Sequence, residues 1–142
     1  MDILNLRNSI IPIILFLFFQ CGSDKNKNYV LLKEFPPITV IGANEMDIKQ
    51  STLYLKRNND TIGTGNFNFY SKSGNKIDVQ IGINKKDSLY NKDEILFYLK
   101  GKHYVITDFQ KKKVKSSGVP YIVSYKINGT LFLDREGNID IK

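Results

Sequence analysis

One nine-residue stretch constrains the fold more than any other part of the chain. In residues 76–84, KIDVQIGIN, apolar residues alternate with polar or small ones at every step. Successive side chains of a strand point to opposite sides, so the apolar residues share one side of an extended segment, whereas a helix would scatter them around its axis. The apolar members are Ile77, Val79, Ile81 and Ile83. The stretch predicts a β-strand with one side in a core and the other toward water.

Turn signals recur between the apolar runs of the chain. Gly74-Asn75 and Asn128-Gly129 are two-residue sequences of the kind that close β-hairpins, and Asn58-Asn59-Asp60 is a further turn. They separate roughly nine short segments rich in β-branched and aromatic residues. We therefore expect an all-β fold: a single antiparallel β-sandwich or small β-barrel built of hairpins.

Residues 91–100, NKDEILFYLK, carry conflicting signals. Asn91 and Glu94 have the spacing of a helix capping box, and Gly101 could end a helix. Ile95, Phe97 and Tyr98 favour a strand, and a second β-rich run follows at once. We predict a strand that turns back at residues 100–102.

The amino terminus has the organisation of an export signal. Residues 10–19 are apolar throughout, and the short polar segment before them carries Arg7. A charged segment followed by about ten apolar residues is typical of a secretory signal peptide, whereas a transmembrane helix needs about 20 apolar residues. Pro12 would also disturb a membrane-spanning helix. We predict that residues 1–20 are a cleaved signal peptide and that the chain is exported.

Cys21 directly follows this apolar run and is the only cysteine of the chain. Residues 1–21 resemble the signal of bacterial lipoproteins, in which a cysteine that ends the apolar run becomes the first residue of the mature protein. The resemblance implies that Cys21 carries acyl chains such as palmitate. It also implies attachment to a membrane of the bacterial cell envelope, either the outer membrane or the periplasmic face.

The sequence after residue 20 predicts a tether followed by one domain. Residues 22–28 are polar without periodicity, which is typical of a flexible linker, so we assign residues 21–28 to the lipidated cysteine and its tether and residues 29–142 to the predicted β domain. That length suits a single core. One cysteine in an exported chain excludes an internal disulfide framework, so the fold must rest on packing.

The formal net charge is +7. A basic protein can attract anionic lipid, acidic glycans or nucleic acid, and for an exported, tethered chain we expect no nucleic acid partner. The densest cluster of charge falls in a predicted loop over residues 110–118. It consists of Lys111, Lys112, Lys113 and Lys115. Two interpretations stay open: contact with an anionic surface, or a solvated loop.

Catalytic and metal-binding motifs are weak. His103 is the only histidine and has no identifiable partner for base catalysis, so a structural or surface role is favoured. Asp93 and Glu94 are adjacent and would face opposite sides of a strand. Residues 134–140, DREGNID, place oxygen-bearing side chains at alternate positions but lack the glycine and glutamate spacing of an EF-hand. We predict no cofactor and no metal.

These observations favour a membrane-anchored, monomeric binding module that is not an enzyme. Its ligand would be a protein, such as a toxin or enzyme that it inhibits, or a small molecule. The alternatives are a hydrolase that uses carboxylates from separate strands and a structural component of envelope assembly. A large pocket would favour a small ligand or an enzyme, whereas a filled core with an exposed aromatic patch would favour a protein partner.

Overall fold

The computed structural model of the chain describes residues 29–113, 121–133 and 137–141. The predicted signal peptide, Cys21, the tether and Lys115 lie outside the described residues. The all-β prediction is confirmed. The strands are β1 (Tyr29–Leu31), β2 (Ile38–Ile41), β3 (Thr52–Arg57), β4 (Asp60–Ser73), β5 (Lys76–Ile83), β6 (Ser88–Tyr90), β7 (Asp93–Leu99), β8 (Lys102–Lys113), β9 (Tyr121–Ile127), β10 (Thr130–Leu133) and β11 (Gly137–Asp140). A 3-10 helix spans Leu32–Glu34, and α1 spans Glu45–Gln50.

Nine of these strands form one sheet in the order β10-β9-β8-β7-β3-β4-β5-β2-β11, while β1 and β6 pair separately. Hairpins between consecutive strands account for most of the order, as the turn signals predict. Two antiparallel pairs join strands that are distant in sequence, β3 with β7 and β2 with β5. The pairing of β2 with β11 is parallel, a geometry that hairpins cannot produce.

The sheet curls until its two edges approach each other. Gly137 on β11 lies against β9, where an added Cβ would stand 2.6 Å from Ile127 Cδ1 and 2.8 Å from the Tyr125 hydroxyl. No larger residue fits there without displacing these side chains. The result is a nearly closed barrel-like sheet.

Aromatic rings occupy the interior of the sheet. Phe35 lies 4.5 Å from Tyr125 and 5.9 Å from Phe109, measured between ring centroids. Phe97 contacts two further rings, at 5.0 and 5.3 Å, from β4 and β8. The alternating residues of β5 face this core and are at most 6% exposed, which confirms the inward side predicted for that strand.

The backbone shows the secondary structure of two segments for which the sequence was ambiguous or misleading. Residues 93–99 form strand β7, and the hairpin turns at Lys100 and Gly101, whose φ angles are +50° and +75°. The loop predicted from residue 110 is wrong for residues 110–113, which extend β8. Lys111 and Lys112 lie opposite Val123 and Ile122 of β9. Backbone pairing with β9 therefore determines the conformation of residues 110–113, despite their polar side chains.

Side-chain hydrogen bonds explain two local departures from the sequence pattern. The apolar run after Tyr29 leaves the strand conformation at Leu32, because Gln80 Nε2 donates to the carbonyl oxygens of Leu32 and Phe35. Helix α1 begins at a capping box in which Asn44 Oδ1 accepts from the Asp47 amide and Asp47 Oδ2 accepts from the Asn44 amide.

The barrel has two distinct ends. At the first, here called the entry end, the chain enters through β1, which pairs with β6, and Leu32 N donates to Asp87 O. The connections 58–59, 84–87 and 91–92 lie at this end. At the second, the helix end, α1 lies beside the turns at 74–75 and 100–101. Strand β5 runs between the two ends and its eight residues span about 23 Å.

Candidate interaction surface

The outward sides of four neighbouring strands, β4, β3, β7 and β8, share an unusual composition. Nine neighbouring outward positions, bordered by Lys56 and Glu94, carry no Lys, Arg, Asp or Glu, although a quarter of the whole chain is charged. They are Thr52, Tyr54, Thr64, Asn66, Asn68, Leu96, Tyr98, His103 and Val105. We call this surface the tyrosine face.

Strand register places these side chains in rows. Tyr54 lies opposite Thr64 on one neighbouring strand and opposite Leu96 on the other, and Leu96 lies opposite Val105. This row crosses four strands, about 14 Å at 4.8 Å per strand. In the next row the Tyr98 and His103 rings are 5.1 Å apart. The face is therefore continuous rather than a set of scattered residues.

The exposure of the face differs from that of an ordinary outer sheet surface. Tyr98 is 61% and Tyr54 40% exposed, and neither hydroxyl has a hydrogen-bond partner among the described residues. Leu96 and Val105, on the strands beside Tyr54, are half-buried. The centre of the face is thus apolar and aromatic, and its periphery consists of uncharged polar side chains.

Charge returns at one border of the face, where Lys56 lies opposite Glu94 across β3 and β7. These two residues, with Asn58, Asn59 and Lys92, line an open depression of about 240 Å³ at the entry end. The depression lies outside the aromatic core and beside two chain turns. It is small and open for a ligand site, since such sites enclose roughly 300–1,000 Å³.

The outward side of β5 is organised differently. Asp78 accepts hydrogen bonds from Ser71 Oγ and, at 2.8 Å, from Thr39 Oγ1. These two hydroxyls hold the pKa of the Asp78 carboxyl below its usual value, the Ser71 contact most strongly. With Gln80 bound to the 3-10 turn, the polar residues here serve the fold. They are half-buried rather than fully exposed to water, as the alternation alone had suggested.

Asp93 is neutralised within the domain. Its side chain is fully buried, and its oxygens accept from Arg57 Nε at 2.6 Å and Arg57 Nη2 at 2.9 Å. The guanidinium also lies 4.6 Å from the Tyr90 ring centroid, and the Asp93 hydrogen bond raises the pKa of Arg57. Glu94 is exposed on the other side of β7, which confirms that the adjacent carboxylates face apart.

The structure describes the side chains of two of the four lysines predicted as one cluster, and these two do not lie on one side of β8. Lys111 forms a 2.7 Å ion pair with Glu34, and this hydrogen bond lowers the pKa of the Glu34 carboxyl. Lys112, the next residue of the strand, is exposed on the opposite side. Lys113 ends β8, and Lys115 lies outside the described residues.

The remaining predicted residues occupy ordinary positions. His103 is exposed on the tyrosine face, opposite Tyr98. Asn138 and Asp140 are exposed on β11, while Asp134 and Glu136 fall outside the described ranges. In the part of the chain that the structure describes, no three His, Cys, Asp or Glu side chains converge as metal ligands. No helix within that same part has the length and apolar character to cross a bilayer.

Sequence reasoning missed Tyr54, Leu96, Tyr98 and Val105 as members of one surface. The alternation in β3 already places Tyr54 outward, and the same signal is readable in β7. The missing information is that β3 and β7 are neighbours, which no turn sequence encodes.

In comparisons with protein-family models, curated proteins and solved structures, nothing matched this chain.

Proposed function

We propose that this chain is a lipid-anchored protein of the bacterial envelope that binds another protein through the tyrosine face and is not an enzyme. The observation that carries the proposal is the uncharged, tyrosine-bearing surface across β4, β3, β7 and β8. It lies on the outer side of a sheet whose interior is occupied by its own aromatic residues.

The composition of the face fits a protein-binding surface. Cores of protein interfaces are depleted in charged residues and enriched in aromatic ones, and tyrosine residues frequently dominate binding energy. Asparagine and threonine at the periphery supply adaptable hydrogen bonds, as in antibody paratopes. A small-molecule ligand is less consistent with a surface that is flat across several strands.

Charge indicates what kind of partner the face accepts. Anionic polymers and lipid head groups require cations, and the tyrosine face contains no lysine or arginine. A second copy of the chain would bring another net charge of +7 to the contact. We infer a different protein with net negative charge, because long-range attraction accelerates such association, and with an uncharged contact surface.

The engagement of the carboxylates supports a binding rather than a hydrolytic role. Asp93 is paired with Arg57, and Asp78 is held by two hydroxyl groups. Glu94 lies opposite Lys56. Anchoring is supported by the signal-like segment that ends at Cys21, only eight positions before β1.

Photo-crosslinking in the cells that make the protein tests this proposal. A photoreactive phenylalanine analogue replaces Tyr54 or Tyr98 in the full chain, and a matched chain carries it at Leu131. Leu131 is 54% exposed on β10, outside the tyrosine face, and so controls for non-specific capture.

The expected result is one discrete adduct from positions 54 and 98 and none from position 131, with an acidic protein identified by mass spectrometry. Adducts of equal yield from all three positions, or adducts from none, contradict the proposal. If positions 54 and 98 give no protein adduct but are covered by a neutral glycan, the partner is a carbohydrate and the proposal of a protein partner is wrong.

A further inference from the structure

We propose that the entry end of the barrel rests on an anionic lipid surface, with Lys85, Lys86 and Lys92 against the phospholipid head groups. The inference rests on the proposed function for the anchor at Cys21. It adds an orientation of the domain and a second contact surface, separate from the tyrosine face.

Two short connections bring these three lysines to one end. Lys92 follows Tyr90, which pairs with Tyr29 where the chain enters the domain. Lys85 and Lys86 precede Asp87, whose carbonyl oxygen accepts from the Leu32 amide. The chain entry and the three cations therefore belong to the same end of the barrel.

Two other cations near the entry end are already paired with carboxylates. Arg57 neutralises Asp93, and Lys111 neutralises Glu34. The three lysines differ, because each is exposed and none has a carboxylate within ion-pair distance among the described residues. Three exposed acids lie at the same end, namely Asp60, Asp87 and Glu94. Lys112, also exposed, adds a further cation on the part of β8 nearest Glu34.

Two lysines at the helix end have partners within the domain. Lys72 pairs with Glu45 at 3.3 Å, and Lys100 Nζ donates to the Gly42 carbonyl oxygen at 3.1 Å. The acidic first turn of α1, with Glu45 and Asp47, reduces the positive potential there. The helix end also carries other exposed lysines, so its acidic first turn and its distance from the tether, rather than its number of lysines, distinguish it from the entry end.

The length of the tether agrees with this orientation. Tyr29 lies eight positions after Cys21, a reach of at most about 29 Å. A domain held at that distance can press the end nearest its tether onto the bilayer. The tyrosine face lies on the side of the barrel and stays open to a partner.

The chain contains no tryptophan, so a single introduced tryptophan reports its own surroundings. Asn91→Trp places the reporter at the entry end and Asn75→Trp places it at the helix end; both positions are exposed. The mature full chain, extracted from membranes, is reconstituted into phosphatidylcholine vesicles with or without phosphatidylglycerol. Both vesicle types contain a lipid that quenches fluorescence in the head-group region.

The expected result is strong quenching at position 91 only in the anionic vesicles, reduced by added salt, with little quenching at position 75. A basic residue near an anionic surface contributes about a fivefold preference, so three together contribute roughly 100-fold. The variant Lys85→Gln/Lys86→Gln/Lys92→Gln should therefore lose the quenching at position 91.

The matched control is Lys49→Gln/Lys72→Gln/Lys76→Gln, which also lowers the net charge from +7 to +4 and should keep the quenching at position 91. Equal quenching at both ends, or equal loss in both variants, contradicts the proposal. The mass of the N-terminal peptide from the same sample tests the anchor separately, since a Cys21 without acyl chains contradicts the proposed function instead.

Discussion

Strands β3 and β5 both alternate buried apolar residues with outward-facing ones, yet their outward sides have different surroundings. On β5, Asp78 and Gln80 are bound to hydroxyls and carbonyls of neighbouring segments. On β3 and β7, Tyr54 and Tyr98 have large exposed rings and no hydrogen-bonded partner within the described residues. Alternation therefore identifies which side of a strand is outward, but not whether that side is used by the fold or left open.

The chemistry of the two surfaces explains this difference. Asp78 and Gln80 are polar groups whose hydrogen bonds are satisfied inside the domain, so their removal should weaken folding. Tyr54 and Tyr98 are amphipathic side chains whose apolar surface remains in water, so their removal should affect association. Mutations that change only stability or only binding test this difference between the two surfaces.

The largest expected effects come from the inward side that both strands share. Ile77 of β5 and Leu55 of β3 are fully buried, so Ile77→Ala and Leu55→Ala should each lower the free energy of unfolding by about 2–5 kcal/mol. Chemical denaturation of the two variants checks this. A cost below about 1 kcal/mol at either position would show that the strand does not line the common core.

A smaller loss is expected on the outward side of β5. Asp78→Ala removes an acceptor of two hydroxyl hydrogen bonds and should cost about 2 kcal/mol at pH 7. Because the folded-state pKa of Asp78 is lowered, its contribution is present above the unfolded-state pKa of about 4 and is lost as pH falls through the folded value.

Unfolding curves at neutral and acidic pH test this contribution, with Thr52→Ala as an exposed control in β3. The difference between the parent protein and Asp78→Ala should shrink in acid, whereas that for Thr52→Ala should stay small at both pH values. A difference that grows in acid would mean that the hydroxyls do not stabilise the charged carboxylate.

The hairpin framework was predictable from particular residues. Asn128-Gly129 and Gly74-Asn75 each turn the chain between two strands, and the positive φ angles of Asn128, Gly129 and Gly74 explain why these residue types occur there. Residues 76–84 specify a half-buried strand by period alone. Such signals are local, because a turn and an alternation each involve only a few adjacent residues.

Pairings between distant strands were not predictable in the same way. The parallel pairing of β11 with β2, the junction of β3 with β7 and the closure at Gly137 depend on how the whole sheet curls. The same limit applies to function. Tyr54 and Tyr98 belong to one surface only because β3 and β7 are neighbours, and the ion pair of Lys111 with Glu34 joins segments 77 residues apart.

The most direct test of the central claim is the affinity of the crosslinked partner for two variants of the full chain. Tyr98→Ser should weaken binding by about 30-fold or more, as expected for an interface residue worth at least 2 kcal/mol, while the unfolding free energy changes by less than about 0.5 kcal/mol. Leu131→Ser, at an equally exposed apolar position on β10, should leave the affinity within about threefold. Unchanged affinity for Tyr98→Ser, or an equal loss for both variants, would contradict a role of the tyrosine face in binding.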